Sequence, residues 1–396
     1  MKIAIVTSGF DPIKPGGVSS VVINMIASLR NSYEIEILSF ANKSADLESA
    51  QILNPLSYKN MRNRSEFFQG IQVLHFGAFG SEFEFLRYRK RRDLRFFFEK
   101  FDGIIVVTGV LQVANIVPKL TIPIVIQCAT RLNWERKSRY PEMSIFRRLL
   151  LKGQVPFLNI QERMVLKSKA IFLAENSKMK LWLEKNSRGS VKMWYPGTPN
   201  EITEFSQIEF SKSESHFVSV GRFNEARKGW GRLFTAYLKA YSRDQSIPPL
   251  VVLGWGDFLS KDRLILEAAQ KKCRIEVYSN APHQQRNEKL KTASYFLQTS
   301  YEEGLGLAAL EAMSFGVPLI CSETDGSREY VLPDVTGKLV HQSEDFVEQF
   351  SELIIESRGW NRRSMSENCT ELFIQKFSQE YSSKELQKIL DEFLVK

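Results

Sequence analysis

Short apolar runs rich in β-branched residues recur along the whole chain, and longer amphipathic stretches separate them. That alternation restricts the fold, because strands joined by helical crossovers run parallel and a parallel sheet needs helices on both faces. Ile3–Val6, Ile35–Leu38, Ile104–Val107, Ile124–Gln127 and Ile171–Phe172 predict a first sheet, with Val191–Tyr195 as a last strand before a Pro196-Gly197 turn. Phe217–Val220, Leu250–Leu253, Ile275–Val277, Tyr295–Leu297 and Leu319–Cys321 predict a second, and Leu339–Val340 reads as a short extra strand. Helical patterns cover Val18–Leu29 and Ser378–Leu394. The polar, aperiodic stretch Thr198–Ser215 is the best linker. The expected class is therefore α/β in two domains, 1–197 and 198–377, as suits a chain of 396 residues. Two such sheets facing each other would form a cleft at the carboxyl ends of their strands, where this architecture takes its ligands.

Composition removes several alternatives. No run of 18 or more apolar residues exists to span a bilayer, and Met1–Thr7 reads as a buried strand without a cleavage pattern. Cys128, Cys273, Cys321 and Cys369 are scattered, as are His75, His216, His283 and His341, so no metal site is expected and the thiols read as reduced core residues. These features predict a cytoplasmic protein. The net charge of +9 is uneven, with five cations in Arg87-Tyr-Arg-Lys-Arg-Arg92 flanked by Phe83, Phe85 and Phe96–Phe98. That run reads either as a solvated helix face over a Phe core or as a contact with the anionic inner face of a membrane. No nucleic-acid-binding motif accompanies it.

The chemistry concentrates in Ser300–Cys321: a carboxylate, a Gly-x-Gly turn, a helix with a second carboxylate, then a strand. Gly304 and Gly306 permit tight backbone and close ligand approach. The helix behind them presents N–H groups and partial positive charge to an anion. Glu303 would stand at the mouth of that anion site and Glu311 eight residues on, roughly 12 Å along a helix. A nucleotide-sugar, with hydroxyl-rich rings on either side of a diphosphate, has the matching shape. In Val220-Gly-Arg-Phe-Asn-Glu-Ala-Arg-Lys-Gly229 a strand ends at Gly221, and Arg222 and Lys228 form a natural diphosphate clamp before the next helix. Gly16-Gly17 offers a corresponding turn in the first half, equally readable as a plain structural turn. Leu253–Asp257 and Thr324–Glu329 are further strand-to-turn elements of the second sheet.

These elements resemble the retaining GT-B glycosyltransferases of family four. Glu303-Gly-Leu-Gly-Leu-Ala-Ala-Leu-Glu311 looks like that family's E-x₇-E region, with Gly316-Val-Pro, Gly326, Glu329 and Gly337 after it. Gly221-Arg222 with Lys228-Gly229 is similar to its Gly-Arg…Lys-Gly element, Pro15-Gly-Gly-Val18 to its glycine loop, and Tyr195-Pro-Gly197 to its turn before the linker. The resemblance implies two Rossmann-like domains facing across a cleft, the first binding acceptor and the second nucleotide-sugar. The helix 378–396 would pack back on the first domain. Arg222 and Lys228 would hold the diphosphate, Glu303 the transferred sugar and Glu311 the ribose, with Gly304, Leu305, Gly306 and Leu307 adding backbone donors. Catalytic roles fall to Arg222, Lys228 and Glu303, and donor binding extends to Gly16, Gly17 and Gly221.

The donor would be a UDP-sugar in preference to a GDP-sugar, its base read near Glu276–Asn280, with no resident cofactor and no metal; no Asp-x-Asp pair occurs. The acceptor would be a glycan or a lipid-linked saccharide of surface-polysaccharide synthesis. The family's first-domain His has no counterpart in Ile124–Asn133, where Thr130, Arg131 and Asn133 are the polar residues available. That departure keeps open a catalytically silent partner subunit, and the two-domain cleft keeps open a sugar-nucleotide epimerase or a phosphorylase.

Overall fold

The computed structural model describes residues 1–13, 16–42, 46, 48–139, 144–199 and 215–394. Pro15, linker residues 200–214 and positions 395–396 lie outside them. The chain divides into two compact units, Met1–Gly197 with Gln379–Lys396, and Thr198–Ser378. Each is a Rossmann-like α/β layer structure.

The first unit holds strands β1 (Lys2–Ser8), β2 (Glu34–Phe40), β3 (Asn63–Phe68), β4 (Ile71–Phe76), β5 (Gly103–Val110), β6 (Ile124–Thr130), β7 (Ile171–Ala174) and β8 (Val191–Met193). They form one eight-stranded sheet in the order β3-β4-β2-β1-β5-β6-β7-β8. Its centre is continuous apolar chain, Ile3 to Val6 and Ile104 to Val107, because helices cover both faces and no strand position there meets water. Val6 sits opposite Leu38 on one side and Val106 on the other.

The second unit holds β9 (Phe217–Arg222), β10 (Leu250–Trp255), β11 (Ile275–Ser279), β12 (Tyr295–Gln298), β13 (Leu319–Ser322) and β14 (Gly337–Val340). Their order is β11-β10-β9-β12-β13-β14, every pair parallel. The order reverses at β9–β12, the kind of point where an open α/β sheet leaves a crevice beyond its carboxyl ends.

Two sequence expectations change. The first sheet carries the pair β3 and β4, unanticipated, with β3 antiparallel on the edge. Its residues Asn-Arg-Ser-Glu-Phe-Phe are mostly solvated and lack a buried run to reveal them. The basic run is not a helix face either. It spans the end of a one-turn helix (Glu84–Arg87) and the start of a 3₁₀ turn (Arg92–Leu94). Arg87 turns inward to Glu84 and the Asn42 carbonyl, and Arg91 to Asp93 and the Gly77 carbonyl at 3.1 Å, over the rings of Phe40 and Phe76. Arg89 and Arg92 remain exposed.

The last helix, Gln379–Leu394, belongs to the first unit and packs against the helix Gly17–Leu29. Ser382 ties it down: its hydroxyl accepts from the Gly197 N–H at 2.9 Å and donates to the Tyr195 carbonyl, while its own carbonyl accepts from the buried Trp194 indole. Cys128, Cys273, Cys321 and Cys369 are all buried, unoxidised thiols. Among the described residues no helix is long and apolar enough to cross a membrane.

Candidate active site

At the end of β9 the chain passes Gly221 and Arg222, makes a 3₁₀ turn (Ala226–Lys228) and enters the helix Trp230–Arg243. Gly229 forms the joint in the left-handed region, φ 67°. A side chain there would run into the Thr299 carbonyl, so glycine is required twice over. The joint aims Arg227 and Lys228 at the loop that follows β12. Two bonds stitch the loops together: the Tyr301 N–H donates to the Arg227 carbonyl at 2.7 Å, and the Thr299 hydroxyl to the Gly229 carbonyl at 3.0 Å. Gly221 lets the Lys228 stem lie along the strand end, since a Cβ there would touch the Trp230 ring at 3.1 Å and Lys228 Cε at 3.5 Å.

Glu303 lies in that loop, 4% exposed. Lys228 Nζ stands 2.7 Å from Oε1 and Arg227 Nη1 2.9 Å from Oε2, and the Ser300 hydroxyl donates to Oε1 at 2.6 Å. The carboxylate therefore does not stand open at the mouth of the site but is the buried counter-ion of two cations. Burial alone would raise its pKa, yet Lys228 and then Arg227 hold it down at about 2. It is ionised at neutral pH and can accept hydrogen bonds but has no proton to give. Glu225 adds a second carboxylate, 2.8 Å from Arg227 and 3.5 Å from Arg222, and is likewise kept ionised: burial opposes it, but Arg227 and Lys228 prevail. Three cations thus meet two carboxylates, and Arg222 is the most exposed of the five.

Beyond Glu303, Gly304 is half-buried, Leu305 is buried, and Gly306 caps the helix Leu307–Ser314 at φ 93°. A Cβ on Gly306 would lie 2.6 Å from the Tyr330 hydroxyl. That hydroxyl and Gln298 Oε1 are buried and hold no protein partner. Unsatisfied polar atoms of this kind are rare in folded proteins and call for an explanation. The turn at Gly326 covers the loop from the other side, its N–H donating to the Glu303 carbonyl at 3.0 Å. The Ala309 N–H already donates to the Gly306 carbonyl at 3.0 Å, whereas those of Leu307 and Ala308, at the first positions of the helix, have no carbonyl within the helix to bond, which suits them to an anion. Glu311 sits on the second turn and faces Arg286 at 3.5 Å, on the helix His283–Lys291 that follows β11.

Arg222, Lys228, Glu303, Gly221 and the Gly304–Glu311 segment therefore all belong to the second unit, at the carboxyl ends of β9 and β12. Gly16 and Gly17 belong to the first, where they start the helix Gly17–Leu29. Arg227, Ser300 and Glu225 escaped sequence reasoning. Arg227 is adjacent to Lys228, so the dipeptide was the available signal, but only the Gly229 joint determines that both cations reach one carboxylate. Of the residues in place of the first-domain His, Arg131 is committed to Glu162 at 2.8 Å and stacks 4.0 Å over Trp182.

Residues 200–371 match the family model of glycosyl transferases group 1. A lipopolysaccharide 1,6-galactosyltransferase of Salmonella typhimurium is 35% identical over 80 residues, 19% of this chain and 22% of that relative's length. Solved structures share the fold across its whole length. Sucrose-phosphate synthase of Thermosynechococcus elongatus superposes with a TM-score of 0.70 at 17% identity, covering 99% of this chain and 98% of its own. WaaG, a glycosyltransferase of lipopolysaccharide biosynthesis, gives 0.66 at 14%, covering 96% and 98%. HepE of Anabaena, solved with UDP and glucose, gives 0.64 at 16%, covering 99% and 100%. The fold is that of the GT-B glycosyltransferases.

Proposed function

We propose that this chain, whose residues 200–371 match the family model of glycosyl transferases group 1, is a retaining, metal-independent glycosyltransferase. It moves a sugar from a nucleoside-diphosphate sugar to a glycan or lipid-linked acceptor of surface-polysaccharide synthesis. The observation that carries this reading is the Lys228–Glu303 contact at 2.7 Å beside the Gly306-capped helix. As the glycosidic bond breaks, negative charge gathers on the departing diphosphate. Arg222, Lys228 and the helix start at Leu307 supply fixed positive charge without reorganisation. When Lys228 turns from Glu303 to the diphosphate, Oε1 is left with a lone pair for a hydroxyl of the transferred sugar. Glu311 takes the ribose hydroxyls in exchange for Arg286. The first unit takes the acceptor. A UDP-sugar is favoured by the UDP-bound relative, and a surface-glycan acceptor by the two lipopolysaccharide enzymes.

Thermal denaturation with UDP, GDP, ADP and their common sugars tests the donor. A ligand at a hundredfold its Kd stabilises by about 2.7 kcal/mol, and no shift with any of them rejects the reading. The second reading, a silent partner subunit, is favoured by the absence of a His in Ile124–Asn133. Donor hydrolysis or transfer that disappears in Lys228→Ala excludes it.

A further inference from the structure

The helix Ile145–Leu166 is clamped on one face and bare on the other. On the clamped face Leu158 and Val165 are buried. Gln154 accepts from the Glu84 N–H at 2.7 Å, Gln161 donates to the Phe85 carbonyl at 2.7 Å, and Glu162 pairs with Arg131. The opposite face carries Ile145, Phe146, Leu149, Phe157, Ile160 and Met164, all exposed, Phe146 by 79% and Ile145 by 75%. At 3.6 residues per turn these six fall in one arc of about 120°. Gly153 and Pro156 fill the middle of that arc. The stripe runs the length of the helix, roughly 33 Å for 22 residues at 1.5 Å each.

A soluble surface helix places polar side chains on such an arc, and an exposed apolar patch of this length marks a contact. Charge identifies the partner. Exposed Arg163 and Lys152 border one edge of the stripe, Arg147 lies beyond the other, and Lys167 follows at the end. Glu162 is the helix's one carboxylate, and it is turned inward. Apolar and aromatic residues on one side, cations along the borders and no outward acid are the attributes of a helix that lies in the plane of an anionic bilayer.

We propose that Ile145–Leu166 is such an interfacial helix, its apolar arc among the lipid chains and its cations at the phosphates. The basic run Arg87–Arg92, with Arg87 and Arg91 turned inward, is secondary to it. The inference rests on exposure and charge in the first unit and is independent of the donor chemistry of the second.

The test is co-sedimentation of the full chain with vesicles of phosphatidylcholine alone or mixed with phosphatidylglycerol. The native chain is expected to sediment with the mixed vesicles. F146S/L149S/I160S should lower that binding tenfold or more with an unchanged melting temperature, since all three positions are exposed. R147S/R163S should weaken it about fivefold per charge and flatten its dependence on salt. Nucleotide-induced thermal shifts should be the same in native and variant chains, which separates failure here from failure of the donor reading. The proposal is overturned if the native chain ignores both vesicle types or if F146S/L149S/I160S binds as well as native. A native dimer that the triple variant converts to monomers also overturns it, since the face would then be a protein contact.

Discussion

Lys228 and Glu303 form a single charged unit with Arg227, and replacing any one member strands the others. Glu303→Gln keeps the shape but leaves two cations facing an amide. Both cations retain some solvent access, so the expected loss is about 2 kcal/mol, below the value for fully buried pairs, measurable by urea denaturation at pH 7. Acid should reveal the same carboxylate. Its pKa falls from 4.5 unfolded to about 2 folded, so its contribution is complete above pH 4.5 and is lost as pH falls through 2. That contribution is of order 3 kcal/mol. A native stability profile that declines between pH 4.5 and 2, against a flatter limb in Glu303→Gln, is the expected pair of curves. Lys228→Ala should cost transfer about a hundredfold, read as kcat with saturating donor. The sequence made Lys228 and Glu303 legible because each adjoins a glycine turn. It could not convey that Glu303 is enclosed, since that depends on Ser300 and Arg227 folding over it.

Turns rather than helices decide the element scale. Gly306→Ala puts a methyl 2.6 Å from the buried Tyr330 hydroxyl at φ 93°, so the loop must shift. The expectation is a loss of 1–3 kcal/mol, on the scale of strained backbone, together with a nucleotide thermal shift reduced or abolished. Gly17→Ala is the control: nothing lies within 4 Å of its Cβ position, and stability should stay within about 0.5 kcal/mol or rise. If both variants behave alike, the geometric argument for the Gly306 turn is wrong. At this scale the buried strands could be read directly, as the centres of β1 and β5 are apolar on both faces. The edge strand β3 could not, because solvated strand and loop share a composition. The basic run misled for a related reason: charge in sequence does not say which side chains turn inward, and Arg87 and Arg91 do.

For the whole molecule, the decisive feature is that the first unit closes with residues from the far end of the chain. Ser382 holds Gly197 and Tyr195, and its carbonyl takes the Trp194 indole. Ending the chain after Ser378 should expose Trp194, seen as a red-shifted fluorescence component, and lower the melting temperature of the first unit by several degrees or abolish its transition. The nucleotide-induced shift of the second unit should survive. A ribosome emits the chain in order, so Thr198–Ser378 emerges whole while Met1–Gly197 still lacks its closing helix. At 5–20 residues per second that wait is roughly 10–40 s. During it, the groove meant for Gln379–Leu394 is open to chaperones, and the later-made unit is the one able to finish first.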